Sequence, residues 1–162
     1  MSHLKYYSYE GVGATNREKF SYSQAVRIGD RIECAGQGKQ AEKLSPYGFH
    51  YDANCPQGGW HDDFVFEKEI NAQIDLAFAN VEKNLKDAGG KGWSQVFRVN
   101  SYHVPLNDEA LSAMVRNFKK YMPGHHPIWT CVGVTRLGAD DMRVEIEVVA
   151  HDPEGAKAAQ EN

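Results

Sequence analysis

Apolar and polar positions alternate with a period of two across residues 127–150, the signature of half-buried strands. The chain there reads as two strands joined by a turn at Gly138-Ala139-Asp140-Asp141. Neighbouring side chains on a strand point to opposite sides, so the pattern splits into two faces. One face carries Ile128, Thr130, Val132 and Val134, then Val144, Ile146, Val148 and Ala150, and is expected to be core. The other carries Trp129, Cys131 and Gly133, then Glu145, Glu147 and Val149. An indole, a thiol and two carboxylates are not the Lys, Thr and Ser of an ordinary solvated face. The pattern therefore predicts that this second face is covered and that any chemistry lies there.

Upstream, the first twenty residues predict an edge strand followed by a loop. Residues 22–28 and 31–36 predict a β-hairpin whose Gly29-Asp30 junction suits a tight turn with positive φ at its first position. Over 67–88 the period changes to that of a helix: Ile70, Ile74, Phe78, Val81 and Leu85 share a stripe with Ala77 beside them, and Gly89-Gly90 stops it. Residues 95–104 form the next strand. A second helix then starts at an Asn107 cap, with Asp108 and Glu109 in its first turn and Leu111, Met114, Val115, Phe118 and Tyr121 as its buried stripe. The order ββ-helix-β-helix-ββ gives an α+β domain with both helices on one sheet face. Too little chain remains to cover the other face, which predicts a homo-oligomer.

One domain, 1–162, accounts for the chain, with a loop insertion at 39–57 and a short polar tail at 152–162. The formal net charge is −4 and no basic run occurs, which argues against broad binding to a phosphate backbone. No apolar stretch approaches a membrane span and the N-terminus lacks the apolar core of a secretion signal, so a cytoplasmic location is expected. Cys34, Cys55 and Cys131 form neither a disulfide framework nor a paired metal-ligand spacing, and Cys34 and Cys131 read as buried free thiols. No metal and no cofactor are expected.

Four motifs in order carry a resemblance: Tyr22-Ser-Gln-Ala-Val26, Cys34-Ala-Gly-Gln37, the helix end Leu85-Lys-Asp-Ala-Gly-Gly90, and Pro127-Ile-Trp-Thr-Cys131 with Val144-Glu-Ile-Glu147. Together they resemble the Rid family, also called YjgF, over nearly all the chain outside the insert and the tail. The resemblance implies a chorismate-mutase-like fold, ββαβαββ, and a homotrimer whose sheets form a central barrel with clefts between subunits. It also implies the family's best-known activity, hydrolysis of enamines and imines of amino-acid metabolism to ketoacids and ammonia. In those members an Arg grips the substrate carboxylate as a bidentate fork. Its place here is taken by Trp129. Tyr22, Cys131 and Glu145 match the family's cleft tyrosine, cysteine and water-orienting carboxylate, whereas Ala35 stands for a serine and Val115 for a helix-borne asparagine. An acid-binding pocket has become more apolar and aromatic, so a 2-imino acid loses its anchor.

Each residue also has a plainer reading. Trp129 either stacks on a ligand or fills a subunit interface. Glu145 is either a general acid or base or half of an inter-subunit ion pair. Tyr22 donates a hydrogen bond to a ligand or to backbone. Cys131 reads as a small hydrophobe of the cleft wall. His125-His126 lacks the company of a metal site and reads as exposed loop. His103, Arg98 and Arg116 are open, the two arginines as replacement anion grips. The 39–57 insert reads either as a lid over the Ala35 strand or, from codons that fit splice signals at its ends, as translated intron. The functional expectation is a small-molecule-binding protein acting on a carbonyl, enol or imine by proton transfer or water addition. The alternative is a non-catalytic binding or chaperone-like trimer, ahead of a standard deaminase or an endoribonuclease.

Overall fold

The computed structural model describes residues 2–38 and 69–160. In chain order these form β1 (Lys5–Tyr7), α1 (Val12–Phe20), β2 (Ala25–Ile28), β3 (Arg31–Gln37), α2 (Ile70–Asp87), a short 3-10 turn (Gly92–Gln95), β4 (Val96–His103), α3 (Asp108–Tyr121), β5 (Ile128–Gly133), β6 (Val144–His151) and α4 (Pro153–Gln160). The insert at 39–57, with both readings of it, lies outside the described residues, as does the start of the helix expected from residue 67.

Local chemistry sets most of these boundaries. Gly29 takes φ 59° at the β2–β3 turn, the left-handed value that a tight hairpin demands and glycine supplies without strain. The Glu69 carboxylate caps α2 by accepting from the Asn71 and Ala72 amides, and Asn107 caps α3 by accepting from the Ala110 amide at 2.9 Å. Gly89, at φ 82°, ends α2. The six stripe residues of α2 are all buried and meet Val99, Val144, Ile146, Val148 and Ala150 in one core. Two helices were not foreseen. Residues 12–20 are helical rather than a loop; α1 is polar and nearly without an apolar stripe, so hydrophobic periodicity does not reveal it. The tail residues 153–160 form α4, docked through Asp152, whose carboxylate pairs with the buried Arg27 guanidinium at 2.8 Å.

The sheet order is β1-β2-β3-β6-β4-β5, antiparallel except for the parallel β4–β5 pair. The hairpin expected over 127–150 does not form, because β4 lies between β5 and β6. α3 supplies the crossover that a parallel pair requires. Paired residues share a face, so the register keeps the faces expected for β6, with Val144, Ile146, Val148 and Ala150 in the core, and exchanges those expected for β5. Val99 pairs with both Trp129 and Val148, and Ser101 with both Cys131 and Ile146. Trp129 and Cys131 therefore face the helices, while Ile128, Thr130 and Val132 share the outer face with Glu145 and Glu147. Ile128 is 61 % exposed. Val115, expected in the buried stripe of α3, is exposed; Met114 of that stripe is buried, with Ala110, Ala113 and Asn117 turned inward beside it and Phe118 and Tyr121 packed on the core.

Candidate functional site

A pocket of about 260 Å³ opens where β3 and β6 diverge from their regular register, between Cys34 and Gln37. Tyr22, Ala35 and Glu145 line it together. Glycine at position 36 makes the arrangement possible: a Cβ there would lie 2.0 Å from Glu145 Oε1, so the carboxyl rests against bare backbone. No cation pairs with Glu145 among the described residues. Burial first, and the charge of Glu147 second, raise its pKa above the ordinary carboxylate value. Such a group holds its proton more readily than a free glutamate and is suited to exchange it with a ligand. Glu147 is engaged on the outer face, accepting from Asn100 Nδ2 at 3.3 Å and Tyr102 Oη at 3.5 Å. Tyr22 is 40 % exposed at the rim, and its hydroxyl accepts from Asn16 Nδ2 at 2.8 Å. On the far side of Tyr22 and Ala35 a wider, open groove of about 720 Å³ runs past Tyr6, Arg17 and Glu33.

Trp129, Cys131 and Val115 lie elsewhere. Trp129 Nε1 donates to Ser101 Oγ at 2.9 Å, and its ring meets Phe118 edge-on with centroids 4.9 Å apart. Ser101 Oγ also bonds His103 Nε2 at 3.0 Å; both residues are fully buried, and burial lowers the His103 pKa. His103 is thus a core histidine rather than a cleft residue. Val115 lines an open groove on α3 with Leu111, Arg116 and Lys119. Arg116 pairs with Asp75 at 2.8 Å, and Arg98 lies exposed on the outer sheet face, so neither grips the Glu145 pocket. His125 bonds the Val96 carbonyl at 2.8 Å, and the described residues hold no cluster of three or more metal-ligating side chains. Cys34 is buried, with its thiol pKa pushed up to about 12 by desolvation.

Sequence reasoning missed the inner wall of the pocket: Tyr9, Asn16, Gln24, Gln37 and Asn80. One signal was present. α2 carries Gln73, Asn80 and Asn84 among its buried positions, and amides inside an apolar stripe mark a polar job for the core.

Residues 17–152 match the family described as Endoribonuclease L-PSP. The RutC family protein YjgH of Escherichia coli K12 is 29 % identical over 133 residues, 82 % of this chain and 84 % of that protein. Among solved structures, that of protein YjgH superposes with a TM-score of 0.70 at 24 % identity, covering 94 % of this chain and 99 % of the other. Rv2704 of Mycobacterium tuberculosis, a YjgF family member, gives 0.65 at 22 % identity, over 91 % and 98 %. The same family is reached from the four motifs, from the matched residues and from the fold: the chain belongs to the Endoribonuclease L-PSP family, the Rid/YjgF proteins.

Proposed function

We propose that this protein binds a small carbonyl, enol or imine compound in a cleft completed between copies of the chain, and that Glu145 moves a proton to or from it or directs water at it. The observation that carries the reading is the Glu145 carboxyl, laid on Gly36 inside a pocket, without a counter-cation among the described residues and with a raised pKa. Tyr22 and Ala35 form the rim on the same chain. Trp129, Cys131 and Val115, the other cleft positions of the family pattern, are away from this pocket on their own chain. A second copy, in a homotrimer, is the source that brings both halves together.

The familiar deaminase chemistry fits poorly. The position of the carboxylate-gripping Arg is Trp129, whose indole is tied to Ser101, and Arg116 is committed to Asp75. The net charge of −4 gives no support to ribonuclease activity. A second reading, a non-catalytic trimer, draws on the same anchoring of Trp129 against Phe118, which is the geometry of a packing residue. Glu145→Gln separates the two. With the assembly intact by light scattering, loss of at least tenfold in turnover across a panel of imines and enol tautomers supports catalysis. Dissociation of the assembly, or unchanged turnover, removes it. Wild type and Trp129→Arg compared on 2-imino acids form the complementary test: robust wild-type ammonia release would show that no Arg is needed at this position.

A further inference from the structure

The wide groove beside the Glu145 pocket carries a charge that the pocket lacks. Arg17 lines it, with Tyr6, Ser21, Tyr22, Ser23 and Glu33. Among the described residues Arg17 is the one basic side chain on the walls of either cavity. It stands exposed near the end of α1, and no ion pair among the described residues engages it. Local structure places hydroxyl groups around the same space. Ser21, at φ 58°, closes α1 by donating its amide to the Arg17 carbonyl at 3.2 Å, and the turn returns Ser21, Tyr22 and Ser23 along the groove wall. Tyr22 Oη accepts from Asn16 Nδ2 at 2.8 Å, so the phenol keeps its own proton to donate.

A guanidinium without a carboxylate partner, beside hydroxyl donors, is an arrangement that receives an oxyanion. Glu33 lines the same groove and pairs with no cation among the described residues. Its charge opposes a second negative charge nearby, which favours a carboxylate over a phosphate dianion. The two cavities meet at Tyr22 and Ala35, which line both, whereas Arg17 lines only the groove and Glu145 only the pocket. A ligand that touches both charged groups must cross that rim, and the small side chain of Ala35 leaves it room. The carboxyl of a 2-imino or 2-oxo acid is bonded directly to the reacting carbon and cannot lie across the rim from it.

We infer that Arg17 anchors a carboxylate carried at a distance from the reacting group, so that the ligand is an oxo, enol or imino acid whose two functions are separated by a short chain. The inference rests on the reading of the Glu145 pocket as the reacting site and specifies the ligand class. Arg17 and the Tyr22 hydroxyl donate to the carboxylate in the groove, and the carbonyl, enol or imine passes Ala35 to reach Glu145. The anion grip thus returns on α1, at a residue that neither the motifs nor the alternation marked, and not at Arg98 or Arg116.

The test uses the intact protein and follows binding by NMR titration with pyruvate, levulinate and 6-oxoheptanoate, each beside its methyl ester. Levulinate or 6-oxoheptanoate should bind about tenfold tighter than its own ester and than pyruvate, the gain of one charge-assisted contact at an exposed site. Arg17→Gln, shown to be folded by its backbone spectrum, should bring each acid to the affinity of its ester. Acids that bind no tighter than their esters, or a preference that survives in Arg17→Gln, would overturn the inference. So would pyruvate binding as tightly as the longer acids, since that puts the anion beside the reacting carbon. The two readings fail separately. Ester binding that depends on Glu145, without any preference for acids, removes the Arg17 anchor alone. Acid binding that depends on Arg17 but is untouched by Glu145→Gln keeps the anchor and removes the Glu145 reading. Absence of binding by every probe removes both.

Discussion

Gly36 and Glu145 form the smallest unit on which the site depends. A methyl group at residue 36 has nowhere to go while the carboxyl stays at 2.0 Å from it. Gly36→Ala should displace Glu145, cost about 1–3 kcal/mol as an overpacking change, and abolish ligand binding; urea unfolding and calorimetric titration measure the two effects. Glu145 also leaves a mark on the pH dependence of stability. Its folded pKa lies above the ordinary 4.5, through burial first and Glu147 second, so the folded state holds this proton more tightly than the unfolded chain does. The group favours folding at low pH, and that contribution is lost as pH rises from about the unfolded value through the raised folded one. Glu145→Gln removes the loss, so its Tm should gain on wild type as pH rises from below the ordinary 4.5 through the higher folded value. A constant difference across that range would contradict the raised pKa.

At the scale of elements, one buried ion pair among the described residues, Arg27–Asp152, secures the tail helix α4, with an exposed Lys91–Glu154 pair beside it. Arg27 NH2 donates to Asp152 Oδ2 at 2.8 Å and to the Ala88 carbonyl at 3.0 Å, while Gln95 Nε2 donates to Asp152 Oδ1 at 2.8 Å. Asp152 thereby joins β2, the end of α2 and the 3-10 turn, and its Oδ1 also accepts from the Gly155 amide inside α4. Burial alone would raise the Asp152 pKa, but the hydrogen bonds from Arg27, Gln95 and Gly155 outweigh it and hold the carboxyl below its usual range. Asp152→Ala strands the Arg27 charge and should cost about 3–5 kcal/mol, read by urea unfolding, with faster amide exchange throughout α4. A loss within experimental error of zero would mean that α4 docks by other means. The alternation in this chain marks 152–162 as polar tail, because a short helix held by ion pairs carries no apolar stripe to announce itself.

For the whole molecule, the outer face of the sheet, left uncovered by the described residues, is the feature with the largest consequence. α2 and α3 pack on one side, and Ile128 and Val132 stand exposed on the other beside Phe97 at 38 % exposure. We propose this face as the contact between copies, which requires that a charge on it disrupts assembly. Ile128→Lys should yield monomer at micromolar concentration in sedimentation velocity and lose ligand binding with the second half of the cleft. An unchanged oligomer would move the contact elsewhere.

The amphipathic period of α2, its Gly89-Gly90 stop, the Asn107 cap and the β2–β3 hairpin were legible in the sequence because each rests on neighbours within a few residues. The family, too, was legible from four short motifs. Which phase of β5 is inner was not. Alternation states that Ile128 and Trp129 point oppositely, but only pairing with β4 decides that Trp129 meets Phe118 and Ile128 meets solvent. The same holds for the pocket: Tyr9, Gln24, Gln37 and Asn80 are scattered along the chain, and the bulged β3–β6 register with α2 packed beside it brings their polar side chains together. Local chemistry writes the elements into the sequence. Long-range pairing decides which side chains share a face, and with it whether Glu145 and Trp129 belong to one site on one chain.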